Sequence, residues 1–143
     1  MKRITVLAGL ALLLVVSSRW VGQAQQPAAP AGDDPHFTGK SITMESKDLS
    51  IARRHFEAGA RSAWHNHDKG QLLMVEEGRM RTQKRGQVIK ELSIGESDYT
   101  APKVEHWHGA IPSQPLVQIN VGFGGATNWM DRVTDAEYQG KAR

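Results

Sequence analysis

From residue 41 onward, no run of β-forming residues exceeds eight before a glycine or a charged turn interrupts it. The runs cover 41–44, 50–57, 71–77, 79–84, 87–92, 98–101 and 116–121. Gly59, Gly78, Gly86 and Gly95 separate them, and Gly122 to Gly125 close the last. Segments this short leave no room for long helices, and their number and spacing predict an all-β sandwich or barrel. The end of the chain differs. Thr134-Asp135-Ala136-Glu137 has the form of a capping box, which predicts one short C-terminal helix through Gln139.

A chain of 143 residues is long enough for one two-layer core. Its first part reads differently from the rest. Lys2 and Arg3 precede an apolar run from Ile4 to Val16, and Gly22-Gln23-Ala24 offers small residues for cleavage, so residues 1–24 read as a secretory signal peptide. The run is shorter than the roughly 20 apolar residues that span a bilayer, so no stable membrane insertion is expected after cleavage. Residues 25–36, rich in alanine and proline, read as a flexible leader, and residues 37–143 as a single domain. The expected location is secreted or periplasmic.

Charge follows from that division. Lys2, Arg3 and Arg19 are three of the 18 basic residues, and residues 1–24 hold no acid, so the remaining chain carries 15 charges of each sign. A balanced domain of this kind gives no basis for nucleic-acid binding. With no cysteine, disulfides, thiol catalysis and thiolate metal ligation are all excluded.

Four of the six histidines fall in two pairs, His65-Asn66-His67 and His106-Trp107-His108, and Gln71 follows the first pair at the fourth residue. Alternation along a strand puts residues i and i+2 on one face, so each pair aims two imidazoles into the same interior. His65, His67, His106 and the Gln71 amide then form a candidate four-point site for one divalent transition metal. His108, one pleat further along, is placed for proton exchange with a molecule bound there. Trp64 and Trp107 alternate with the ligands and are expected to face outward. The same parity makes Phe56, Arg54 and Ala52 inward-facing, with Arg53 and His55 outward, so Arg54 is a candidate cavity cation. If the apolar face of 116–121 is covered from outside, Gln118 and Asn120 line the cavity too, and Gln118 joins His108 and Arg54 as a candidate catalytic residue.

The spacing Gly59-x5-His65-x-His67-x3-Gln71-x6-Gly78 resembles the first cupin motif, with glutamine in the glutamate slot. The second cupin motif, G-x5-P-x-G-x2-H, is matched at Gly95 and His106, while Ala101 stands at its proline and Lys103 at its glycine. This resemblance spans roughly residues 37 to 139 and implies a cupin jelly-roll barrel of two antiparallel sheets, commonly paired as a homodimer. The ending Trp129-Met130-Asp131-Arg132-Val133-Thr134-Asp135-Ala136-Glu137-Tyr138 is similar to small bacterial cupins that include manganese-dependent hydroxynitrile lyases. There the matching three histidines and glutamine hold the metal, and the position of His108 assists proton transfer. The positions of Ala52 and Arg54 are small and apolar in that group, so Arg54 narrows and charges the pocket here. Those lyases lack an export signal. Secreted single-domain cupins with a three-histidine copper centre, one of which cleaves cellulose oxidatively, are similar in size, export and ligand pattern.

Neutral N and O donors suit several metals, and the affinity order favours copper wherever an exported protein meets it, with manganese or iron as alternatives. The sequence therefore leads to a secreted mononuclear metal enzyme, first of all a copper-dependent oxidoreductase acting on extracellular carbohydrate or a small organic molecule. A manganese- or iron-dependent lyase of hydroxynitrile-lyase type is the second reading, and a non-catalytic periplasmic metal or sugar binder the third.

Overall fold

The computed structural model describes residues 36–38 and 41–141. The chain divides into two units, residues 1–43 and 44–143. In the first, the described residues form neither strand nor helix. The signal segment 1–24 lies outside the described residues, as does the leader 25–36 apart from His36. The strand expected over 41–44 is not formed. Its alternation suits a strand, but among the described residues no ladder partner takes it up, and Ile42 and Met44 stay 58% and 79% exposed.

The described residues of the second unit form nine strands and one helix: β1 (Ser50–Phe56), β2 (His65–His67), β3 (Gln71–Gly78), β4 (Met80–Lys84), β5 (Lys90–Leu92), β6 (Ser97–Thr100), β7 (His106–Ala110), β8 (Leu116–Gly122), β9 (Thr127–Trp129) and α1 (Asp135–Tyr138). They make two antiparallel sheets, in the orders β1-β8-β3-β6 and β5-β4-β7-β2-β9. The run expected over 87–92 pairs only from Lys90. A turn closed by the Gln87 N–H on Lys84 O (2.9 Å), and held by the Gln83 amide on Gln87 O (2.8 Å), consumes its first residues.

Each inner strand face runs from apolar to polar along its length. In β3 the inward series is Val75, Leu73, Gln71; in β8 it is Leu116, Gln118, Asn120; in β7 it is Ala110, His108, His106. Register aligns these gradients, with Leu116 opposite Gly78, Gln118 opposite Val75, and Asn120 opposite Leu73. The apolar halves, Leu73, Val75, Met80, Ala110 and Leu116, meet between the sheets with Phe56 and Leu92 against them. Each large side chain buried there contributes about 1.5–3 kcal/mol. Their polar ends therefore converge on the other end of the barrel, and that is where the cavity lies.

Outside the five-stranded sheet a second apolar cluster forms from Trp64, Trp107, Val133 and Tyr138. The two tryptophans thus face away from the cavity, as alternation requires, and the C-terminal segment covers them. This double cover buries every residue of β7. Gly109 is needed within it, because a Cβ there would lie 2.3 Å from Ala60 O and 2.6 Å from Arg61 Cα. The capping box is formed as the sequence predicts: the Glu137 N–H donates to Thr134 Oγ1, and the Glu137 carboxylate accepts from the Thr134 N–H.

Candidate metal centre and active site

β2 and β7 pair antiparallel with His65 opposite His106, so the two histidine pairs meet at one point of the sheet. Ring centroids lie 4.2 Å apart for His65 and His106, 5.1 Å for His65 and His67, 5.5 Å for His67 and His106, and 5.3 Å for His65 and His108. Gln71 enters from β3 in the opposite sheet and brings its Oε1 to 3.0 Å from His106 Nε2.

The hydrogen bonds at the far ring nitrogens orient this cluster. His65 Nδ1 donates to Ala63 O at 2.9 Å, and Thr127 Oγ1 lies 3.1 Å from His67 Nδ1. Partners on Nδ1 turn Nε2 inward as a free lone pair, which is how metal-ligating imidazoles are held. His67 Nε2 is buried with no hydrogen-bond partner. His106 has a sharper conflict. Its Nδ1 lies 3.2 Å from Val104 O and its Nε2 3.0 Å from Gln71 Oε1, both acceptors, and a neutral ring has one proton for the two. An imidazolium would serve both. Burial, with the neighbouring His65, pushes the His106 pKa down to about 3, so the ring stays neutral at ordinary pH. Turning the Gln71 amide over, or a cation facing both Nε2 and Oε1, removes the conflict, and the neutral N and O donors present fit a bound metal ion.

His108 is held differently. Gln118 donates its amide N–H to His108 Nδ1 (3.0 Å) and to Asn120 Oδ1 (2.5 Å). The amide group that faces Nδ1 sets which ring nitrogen carries the proton, and turning that amide over moves the proton from Nε2 to Nδ1 with the contact kept. By distance alone, possible ligand atoms of His65, His106 and His108 all lie within 4.8 Å of one another. His67 Nε2 is buried without a hydrogen-bond partner, whereas the His108 ring is tied at Nδ1 to Gln118. Burial, first of all, and the nearby His65 and His106 hold its pKa well below the ordinary histidine value. His65 is pushed down to about 4, mainly by burial, and His67 is lowered for the same reason.

His65, His67, Gln71 and His108 open on a cavity of about 430 Å³; His106 and Gln118, both fully buried, stand behind its wall, so Gln118 does not line it as expected while Asn120 does. Arg54, Phe56, Ser62, Asn120, Thr127 and Trp129 complete its walls with the site residues. Arg54 stands across the β1–β8 ladder from Gln118, and Phe56 packs edge-on against His108 at 5.9 Å. Arg61 also reaches the cavity, but its guanidinium is tied to Val133 O (3.0 Å) and Asp135 Oδ1 (2.6 Å) and lies over the Tyr138 ring. Tyr99 lies on the outer face of β6 beside Phe123, away from the cavity. Trp129 sits at the mouth with its ring 4.8 Å from that of His65.

Thr127 and Trp129 are not identifiable as ligand support from the sequence. They reach His67 and His65 only because β9 pairs with β2, which sets His67 opposite Thr127 and His65 opposite Trp129. Asp68 fixes that edge: its carboxylate accepts from Lys103 Nζ (2.5 Å), the Ala126 N–H (3.0 Å) and the Asn128 amide (3.0 Å). Lys103 and these two amide donors hold it well below the usual carboxylate range.

A two-sheet antiparallel barrel with a histidine cluster at its polar end defines the class of metal-site jelly rolls. The Cupin domain profile matches residues 52–122. The chain is 38% identical over 116 residues to an (R)-mandelonitrile lyase of Granulicella tundricola, covering 79% of each chain. It superimposes on a cupin-like protein from Thermotoga maritima with a TM-score of 0.64 and 32% identity, over 78% of this chain and 92% of that one. A DMSP lyase from Ruegeria pomeroyi shares the fold at TM-score 0.54 and 16% identity, over 59% of this chain and 44% of the other. The chain belongs to the cupin superfamily.

Proposed function

We propose that this protein is a manganese- or iron-dependent lyase of the hydroxynitrile-lyase type. The observation that carries this reading is the split among the four histidines. His65 Nδ1 donates to Ala63 O, His67 Nε2 is buried without a partner and His106 Nε2 lies against the Gln71 amide oxygen, while His108 is tied at Nδ1 to Gln118. The name of the Granulicella relative supports a lyase over an oxidoreductase. The copper reading drew its weight from export, and the segment behind that argument lies outside the described residues.

A divalent ion held by His65, His67, His106 and Gln71 supplies a Lewis acid for a substrate oxygen, undiminished by any anionic ligand. The chain supplies the rest. In cyanohydrin cleavage the hydroxyl proton passes to His108 Nε2, the O–H electron pair becomes the second bond of the new carbonyl, and the C–C pair leaves with cyanide. Cyanide then takes the proton and departs as hydrogen cyanide. His108 needs its lone pair on Nε2 for this. Turning the Gln118 and Asn120 amides over together makes Gln118 Oε1 the acceptor of His108 Nδ1–H and of the Asn120 amide, with both heavy-atom contacts kept. Burial keeps His108 neutral and ready to accept. Phe56 packs against that ring and shields it from water.

The same proposal places the protein outside the cytoplasm as a homodimer, acting on a small molecule. Among the described residues no helix is long and apolar enough to cross a membrane. The deciding experiment strips the protein with chelator, reloads it with Mn(II), Fe(II) or Cu(II), and follows benzaldehyde released from mandelonitrile. Release restored by manganese or iron is the expected result. Inactivity with all three, beside copper-dependent oxidation of a sugar polymer, returns the protein to the oxidoreductase reading.

A further inference from the structure

We infer that the substrate of this cavity carries a carboxylate and that Arg54 binds it. The inference rests on the cavity being the substrate site proposed above. Arg54 lies on the inward face of β1, in the same cross-strand row as Gln118, and lines the cavity. Directly opposed residues of an antiparallel pair have Cβ atoms about 5 Å apart, so the guanidinium starts one strand away from the amide that touches His108.

Among the described residues Arg54 shares its lack of a side-chain partner with Lys69, Arg132 and Lys141, but of these it alone lines the cavity. Arg53, its outward neighbour, is bound to Glu76 at 2.7 Å; Arg79 and Arg81 both pair with Glu91, Arg85 pairs with Glu105, and Lys84 and Lys90 share Asp98. Arg54 has no hydrogen-bond or ion-pair partner among the described residues. No Asp or Glu lines the cavity to neutralise it. Arg61, the other cavity arginine, is fully engaged with Val133, Asp135 and Tyr138. The cavity thus combines one uncommitted, planar, five-donor cation with neutral imidazoles and amides. A guanidinium in such a setting matches a carboxylate through two parallel charge-assisted hydrogen bonds. Arg54 is solvent-exposed at the cavity wall, so the preference for a carboxylate comes from the paired hydrogen bonds of the fork and not from a desolvated charge.

The test measures binding and needs no turnover. Phenylacetate and phenylacetamide, matched in shape and different in charge, are titrated calorimetrically into the Mn(II)-loaded protein and into chelator-treated protein. Wild type is expected to bind the carboxylate about tenfold or more tightly over the amide in both states. Arg54→Gln is expected to reduce that preference to within about threefold, with Arg54→Lys in between because it keeps charge without the fork. Equal affinities in wild type overturn the inference, as does no measurable binding of phenylacetate. A preference that survives Arg54→Gln, or that exists only with metal bound, also overturns it by assigning the carboxylate to another group. Failure of mandelonitrile cleavage leaves this preference readable and counts only against the lyase reading.

Discussion

Gln118 reaches His108 Nδ1 from the opposite sheet at 3.0 Å, and this contact sets His108 apart from His65, His67 and His106, none of which has a side-chain amide at Nδ1. The separation is testable as metal content. Alanine at His65, His67 or His106 is expected to lower bound manganese well below one ion per chain. His108→Ala is expected to keep the ion while cutting kcat for mandelonitrile by about 10²–10⁴, the range for loss of a general acid or base. Elemental analysis beside steady-state kinetics decides it. Loss of metal in His108→Ala with retention in His67→Ala would reverse the two assignments.

Gln118 acts through His108, so its replacement has its own signature. Gln118→Leu fills the space without an amide, leaving Nδ1 unpaired and the ring free to choose its tautomer. We expect kcat to fall about tenfold or more with metal content intact, and Gln118→Asn to recover little because it is one methylene too short. A shifted His108 imidazole signal by NMR, read in the metal-free protein, distinguishes this from general loosening of the core.

How far these roles are legible in the sequence depends on the distance over which each is set. The His65/His67 and His106/His108 pairs are local, since period-two alternation sends both members inward wherever the strand lies. Arg54 is readable for the same reason, once Phe56 anchors its face. Thr127 carries no local signal, because its role depends on β9 lying beside β2, 60 residues earlier in the chain. The 41–44 run fails in the other direction: alternation is present, but no strand takes up its hydrogen bonds among the described residues. Thr127→Val should therefore weaken manganese binding about 10–100-fold by removing an orienting partner of His67, measured by chelator competition.

Acid should destabilise the metal-free protein before ordinary carboxylate titration dominates. In the unfolded chain histidine titrates near 6.5, whereas burial pushes His65 down to about 4 and His106 to about 3 in the fold. Between these values the unfolded chain binds protons that the folded chain refuses. Stability is then fully present above about pH 6.5 and falls as pH drops toward 4, by up to about 1.4 kcal/mol per pH unit for each proton taken up. Urea midpoints of chelated protein from pH 8 to pH 4.5 measure the slope. His106→Leu should make it shallower, with His65, His67 and His108 still contributing, and a slope unchanged by that substitution would place the acid sensitivity elsewhere.

Lys103 stands where the second cupin motif has glycine, and it is the one described non-glycine residue with positive φ, at 61°. An L-residue in this conformation costs about 1–2 kcal/mol because its Cβ crowds the following carbonyl. Two contacts offset that cost: the Lys103 N–H donates to His67 O at 2.8 Å, and its ammonium meets Asp68 at 2.5 Å. The backbone bond survives any substitution except proline, while the ion pair is largely solvent-exposed and of modest value. Lys103→Ala loses the ion pair and keeps the strain; Lys103→Gly loses the ion pair and the strain together. Glycine should therefore be more stable than alanine by about 1 kcal/mol in urea unfolding. If alanine equals or exceeds glycine, the left-handed turn before His106 is not strained, and the departure from the motif has no energetic cost to explain.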